Sequence, residues 1–191
     1  MISEFPFGLF FLRHCKTQNN LNHRISGQVD SQIVDFAIDT RVLNQINVEH
    51  RDITIISSSL NRCVQTTFHL LKQCCEFHAH IYIAARIIER GMGYWEGALR
   101  ADVFQKHPGL FCHGKINPLF TPPHGESIDD FTARIDDFIQ DIGIVAKHTP
   151  ILVCAHNQSL KLLKYRLAGD VNLLDFWYSC SFQNGKVERI Y

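Results

Sequence analysis

The sequence predicts an α/β fold with a mostly parallel central sheet and an antiparallel strand added at the sheet edge. Apolar runs at residues 9–12, 53–56 and 151–155 are too short to span a membrane and read as buried strands. The second and third run directly into turns and helix-like patterns, as parallel crossover units do. Asn184-Gly185 lies between residues 178–182 and 187–191, the strongest short hairpin signal in the chain, which predicts the antiparallel addition.

Composition narrows what such a fold can do. At 191 residues, 46% hydrophobic and 20% charged, the chain has the makeup of an ordinary globular protein and is expected to form one domain over residues 1–191. Nineteen Lys and Arg balance nineteen Asp and Glu, so no overall field draws nucleic acid or an anionic membrane, and an anion site has to be built locally. Cysteines at 15, 63, 74, 75, 112, 154 and 180 are odd in number and lack zinc-site spacing, which fits reduced thiols. With Glu4 and Pro6 at the start, no basic leader and no long apolar stretch, neither a signal peptide nor a membrane span is expected, and a reducing, cytoplasmic setting is.

In chain order, the first strand ends in Arg13-His14-Cys15-Lys16-Thr17. Residues 18–30, rich in Asn, Ser and Gly, form a long loop whose Ser26-Gly27 backbone can offer N–H groups to an anion. Ile33, Ala37, Val42, Leu43 and Ile46 recur near helical spacing, so a helix is expected over 33–46. The strand at 52–57 leads through Ser57-Ser58-Ser59 to a helix carrying Arg62 in its first turn. His78 and His80 lack further ligands in register, so no metal site is expected there. A third strand at 81–85 precedes Glu89 and a glycine-rich loop ending Trp95-Glu96-Gly97. There Glu89 is expected to be half-buried with a raised pKa, or else paired with Arg86 or Arg90.

Residues 99–106 read as a short amphipathic helix, and 108–123 as a Gly/Pro-bearing flap in which substrate choice would reside. Ser127 and Asp130 have capping-box spacing, opening a helix with Ile128, Phe131, Ile135, Phe138, Ile139 and Ile142 on its apolar face. The strand at 151–155 delivers His156 to its end, and a helix follows over 159–167.

Strand ends thus bring His14 with Arg13, Arg62, Glu89 and His156 to one edge of the sheet, where open α/β sheets bind ligands. Two arginines and two histidines there suit a compact dianion such as phosphate, because guanidinium forks match phosphate oxygens, and a histidine can attack phosphorus.

These segments resemble the histidine phosphatase superfamily in its phosphoglycerate mutase-like branch. Phe11-Leu12-Arg13-His14-Cys15-Lys16-Thr17 is similar to the nucleophile strand end of that family, and Asn20, Arg24 and residues 26–30 to its loop. Residues 57–66 resemble its second motif, 89–97 its acid loop, 122–127 its helix-opening segment and 153–157 its second-histidine strand. The resemblance implies a three-layer α/β/α sandwich and a phosphohistidine mechanism without metal or other cofactor. His14 would attack phosphorus, Arg13, Arg62 and His156 would hold the transferring group, and Glu89 would protonate the leaving oxygen and then activate water. Asn20, Ser26, Gly27 and Asn157 would contact substrate, a small phosphorylated metabolite.

Three positions depart from the pattern. Cys15 stands where the family has glycine, which puts the loop geometry and the activity in question and places an oxidisable thiol beside the nucleophile. Lys16 replaces an acidic residue, and Asn157 a glycine. The mutases resembled here carry a longer insertion before the fourth motif, so the short 95–122 segment favours a phosphomonoester hydrolase, with mutase-type transfer or a catalytically weakened phospho-ligand binder as the alternatives. Nothing in the sequence decides between a monomer and a homodimer.

Overall fold

The computed structural model describes residues 5–46, 52–169 and 171–191. Its strands are β1 (Leu9–Arg13), β2 (Lys16–Thr17), β3 (Ile33–Asp35), β4 (Asp52–Ser58), β5 (His78–Ala84), β6 (Phe111–Cys112), β7 (Lys115–Ile116), β8 (Ile151–Ala155) and β9 (Val187–Arg189). Five of them make the central sheet in the order β5-β4-β8-β1-β9. β1 runs parallel to β8, and β4 parallel to both β8 and β5. Only β9 is antiparallel, with Phe11 of β1 opposite Glu188. The carboxyl ends of β1, β4, β5 and β8 therefore share one edge.

The apolar runs are continuous because both faces of the sheet are covered. Leu9 and Phe11 of β1, with Ile151 and Val153 of β8, pack against α4 (Ile128–Val145), α5 (Asn157–Ala168) and α6 (Leu173–Ser179). Phe10 and Leu12, with Leu152 and Cys154, pack on the other face beneath α2 (Asn61–Gln73) and the 3-10 turn Arg41–Gln45. The result is the three-layer α/β/α arrangement. α4 opens as expected, Ser127 Oγ accepting from Asp130 N at 3.0 Å. It buries Phe131, Ile135, Phe138 and Ile142, each contributing about 2–3 kcal/mol by leaving water.

Two expectations fail. Residues 33–46 do not form a helix: β3 pairs with β2, and the chain then turns twice before the 3-10 turn. Asp35 Oδ1 accepts from Ala37 N at 2.9 Å and Asp39 Oδ1 from Arg41 N at 3.2 Å, local bonds that compete with the helical ladder. Residues 178–182 are not a hairpin arm. Asn172 Oδ1 caps Leu174 N and Asp175 N, so α6 runs through Tyr178, and β9 takes β1 as its partner instead. Gly185 keeps its turn role at φ +67°, where a Cβ would lie 2.2 Å from Ala37 O. The third strand starts earlier than expected, so His78 and His80 belong to the edge strand β5.

Smaller elements complete the frame: α1 (Gln18–Leu21) in the loop after β1, α3 (Arg100–Lys106), and the β6–β7 hairpin inside the 108–123 connection. Among the described residues no helix is long and apolar enough to cross a membrane.

Candidate active site

At the carboxyl edge of the sheet lies a cavity of about 440 Å³. Arg13, His14, Arg62 and Glu89 line it, as do Asn20, Ser26, Gly27 and Asn157. His156 is fully buried behind this wall, its ring 5.2 Å from that of His14, centroid to centroid.

β1 fixes the first pair. The His14 backbone N–H donates to Ala155 O of the neighbouring strand at 3.0 Å, and its ring Nδ1 lies 2.7 Å from Cys15 O. A carbonyl only accepts, so Nδ1 carries the proton, and in the neutral ring Nε2 holds the lone pair. Burial, followed by the charges of Arg13 and Arg62, pushes His14 well below the ordinary 6.5, so the ring is neutral at physiological pH. Arg13 Nη1 donates to Phe182 O at 2.8 Å, while its buried Nε has no partner. Burial lowers this guanidinium to about 10, so it stays charged.

Arg62 is held from three sides. Nη1 donates to Val29 O at 2.9 Å and Asp30 Oδ1 at 3.0 Å, Nη2 to Gly27 O at 2.8 Å, and Nε to His156 Nδ1 at 3.2 Å. Because Arg62 can only donate, His156 carries its proton on Nε2 and presents it to Ser58 Oγ at 2.8 Å. Burial, then Arg62, keeps His156 neutral as well. Leu60, at the N-cap of α2, offers no side-chain cap, and Asp30 supplies one from across the loop, accepting from Asn61 N at 2.8 Å and Arg62 N at 3.3 Å. Gly27 sits at φ +50° with no room for a side chain, since a Cβ would fall 2.2 Å from Glu96 Oε1.

Glu89 is 8% exposed, more deeply buried than expected, and neither Arg86 nor Arg90 pairs with its carboxylate through a guanidinium. Its oxygens accept from the backbone N–H groups of Arg90 at 3.0 Å and of Gln158 and Ser159 at 3.2 Å, so the N-terminus of α5 holds it. Residues that sequence reasoning passed over position this loop. Arg134 of α4 donates to Arg86 O, Ile88 O and Glu89 O, and pairs with Glu126 at 2.6 Å. Glu126 Oε2 in turn accepts from Gly91 N at 3.1 Å. Arg90 is wholly buried and bonds Glu126 O, Pro118 O and Phe120 O, which ties the acid loop to the 108–123 connection.

Cys15 is accommodated without strain. It is not among the residues with positive φ, its side chain is fully buried, and its N–H donates to Thr66 Oγ1 at 2.9 Å. Burial raises the thiol to about 11, which keeps it protonated and unreactive, so the structure does not support a readily oxidised thiol beside the nucleophile. Asn157 Oδ1 accepts from Phe182 N at 3.0 Å, and Asn20 Oδ1 accepts from Thr17 and from Asn184 Nδ2.

The cavity is strongly cationic: Lys16, Arg24, Arg100, Lys115 and Lys161 join Arg13 and Arg62, against Glu89 as the one carboxylate among the described lining residues. A neutral chain has thus gathered a local anion trap. A sequence model of the histidine phosphatase superfamily (branch 1) matches residues 9–190. The chain belongs to this superfamily. Among its curated relatives, a metal-independent phosphoserine phosphatase of Arabidopsis thaliana is 25% identical over 163 residues, covering 83% of this chain and 68% of the relative. A glucosyl-3-phosphoglycerate phosphatase of Mycolicibacterium vanbaalenii is 24% identical over 169 residues, covering 84% and 74%. The histidine phosphatase fold is shared with solved structures. A mycobacterial glucosyl-3-phosphoglycerate phosphatase in complex with VO3 superimposes with TM-score 0.75 at 22% identity, over 95% of this chain and 90% of that one. The α-ribazole phosphatase of Shigella flexneri does so with TM-score 0.67 at 22% identity, over 95% and 88%.

Proposed function

We propose that this histidine phosphatase hydrolyses a small phosphomonoester through a phosphohistidine formed on His14. The observation that carries the reading is the tautomer of His14: Nδ1–H is tied to Cys15 O, so Nε2 keeps its lone pair, in a residue that lines one cavity with Arg13 and Arg62. In the first step Nε2 bonds to phosphorus as the P–O bond to the leaving alkoxide breaks, and Glu89 serves as the general acid that delivers a proton to that oxygen. In the second, water attacks the phosphohistidine, the P–N bond breaks, inorganic phosphate forms, and the proton from water returns to Glu89. Arg13 and Arg62 bear the charge on the transferring phosphoryl group. His156 orients Arg62 and stands beside the nucleophile.

The names of the two curated relatives fit this class, since each is a phosphatase named for a small phosphorylated metabolite. A weakened phospho-ligand binder rested on Cys15, which the backbone accepts in an ordinary conformation. Seven free thiols fit a reducing, cytoplasmic setting. The test is turnover of 4-nitrophenyl phosphate in chelator by the wild type and by His14→Ala. Turnover is expected in the wild type and none in the variant; turnover that survives loss of His14, or vanishes with chelator, overturns the reading.

A further inference from the structure

Lys115 and Lys161 line the cavity but have no part in the phosphoryl transfer described above. They arrive from separate elements, β7 in the connection before α4 and the second turn of α5. Lys161 follows Asn157 by four residues, which puts both on one face of α5 and explains why both reach the cavity wall. Its Nζ donates to Trp177 O at 2.8 Å and lies 5.2 Å from the centre of the Trp177 ring. Lys115 Nζ donates to Tyr178 O and, at 3.2 Å, to Cys180 O. Both ammonium groups are therefore gathered on the carbonyls at the C-terminal end of α6, an end that favours cations.

No carboxylate pairs with either lysine among the described residues. An ammonium has more N–H donors than these carbonyls use, so both keep bonding capacity. Two like charges side by side repel, and Lys161, at 2% exposure, loses solvation as well. Burial first, and Lys115 next, lower Lys161 to about 8. An anion set against both groups would remove both penalties. Lys161 also feels the charges of Glu89 and Arg13 at the phosphoryl site, weakly and with opposite signs. Arg24 and Arg100 line the cavity too, though both are exposed at the surface; Arg100 is partly desolvated and its charge acts on Arg13, on the phosphoryl side of the cavity.

We propose that Lys115 and Lys161 form a subsite for a second anionic group, a carboxylate or a phosphate, carried on the same small molecule as the phosphoryl group removed at His14. The subsite rests on the phosphohistidine reading, because it selects among substrates of that reaction. It also gives the 108–123 connection a role in substrate choice through Lys115.

The test compares kcat/KM within two pairs of probes: 3-phosphoglycerate against glycerol 3-phosphate, and fructose 1,6-bisphosphate against fructose 6-phosphate. In the wild type the doubly anionic member of at least one pair is expected to be favoured about tenfold or more, the scale of one charge-assisted contact. Lys115→Gln and Lys161→Met are each expected to bring that ratio towards unity. Because each ratio is measured within one protein, a partial folding defect cancels, and Lys115→Gln serves if Lys161→Met does not fold. A wild-type ratio near unity in both pairs, or a ratio preserved in the variants, overturns the subsite. If 4-nitrophenyl phosphate is still hydrolysed in that case, the phosphatase reading stands alone; if no phosphomonoester is hydrolysed, both fall.

Discussion

The two histidines at the site make the stability of the fold depend on pH in a defined window. His14 and His156 are held neutral, in each case mainly by burial, with Arg62 and Arg13 adding to it. Both are lowered from 6.5, so as pH falls through that value the unfolded chain takes up protons that the folded chain refuses. The stabilisation is therefore complete above 6.5 and is lost on acidification towards the lower folded values. With both rings proton-free in the fold, moving from about pH 7.5 to about pH 5.5 costs on the order of 1 kcal/mol per histidine and roughly twice that for the pair. Urea unfolding followed by tryptophan fluorescence at the two pH values measures this in the wild type, His14→Gln and His156→Gln. Each variant should lose about half of the difference, whatever its absolute stability. A difference unchanged in both variants, or none in the wild type, would refute the account of two buried neutral rings.

Two further outcomes follow from the supporting contacts. Arg134→Met removes the ion pair with Glu126 and the three carbonyl bonds that hold the Glu89 loop, from a side chain that does not itself line the cavity. It should lower kcat for 4-nitrophenyl phosphate about 10- to 100-fold with a smaller change in KM, as for lost positioning of an acid–base group. Unchanged kcat would remove Arg134 from that role. Cys15, raised to about 11, should resist iodoacetamide in the native protein near neutral pH, whereas exposed Cys75 and Cys112 react, as peptide mapping by mass spectrometry can check. Rapid labelling of Cys15 would contradict its buried, protonated state.

Much of the site was legible because its chemistry sits at strand ends. β1, β4 and β8 are buried on both faces, so their apolar runs mark themselves, and the polar residues that end them, His14, Ser58 and His156, fall at the sheet edge by construction. Segments 33–46 and 178–182 were misread because side chains acting locally decide them: Asp35 and Asp39 turn the first, and Asn172 caps the second into a helix. The network behind Glu89 was not legible at all. Arg134 lies within a helix, where an arginine reads as a solvated residue, and its partners are carbonyls on an irregular loop far away in sequence. Lys115 and Lys161 were hidden for the same reason, their acceptors being backbone oxygens at the end of α6.

The phosphoenzyme is the most direct test of the central claim. Wild-type protein mixed with 4-nitrophenyl phosphate and quenched during turnover should carry one phosphoryl group that is labile in acid and stable in alkali. Peptide mapping should place it on His14, and His14→Ala should carry none. Phosphate found on another residue, or steady turnover by His14→Ala without any phosphoenzyme, would contradict the assignment of His14 as the nucleophile.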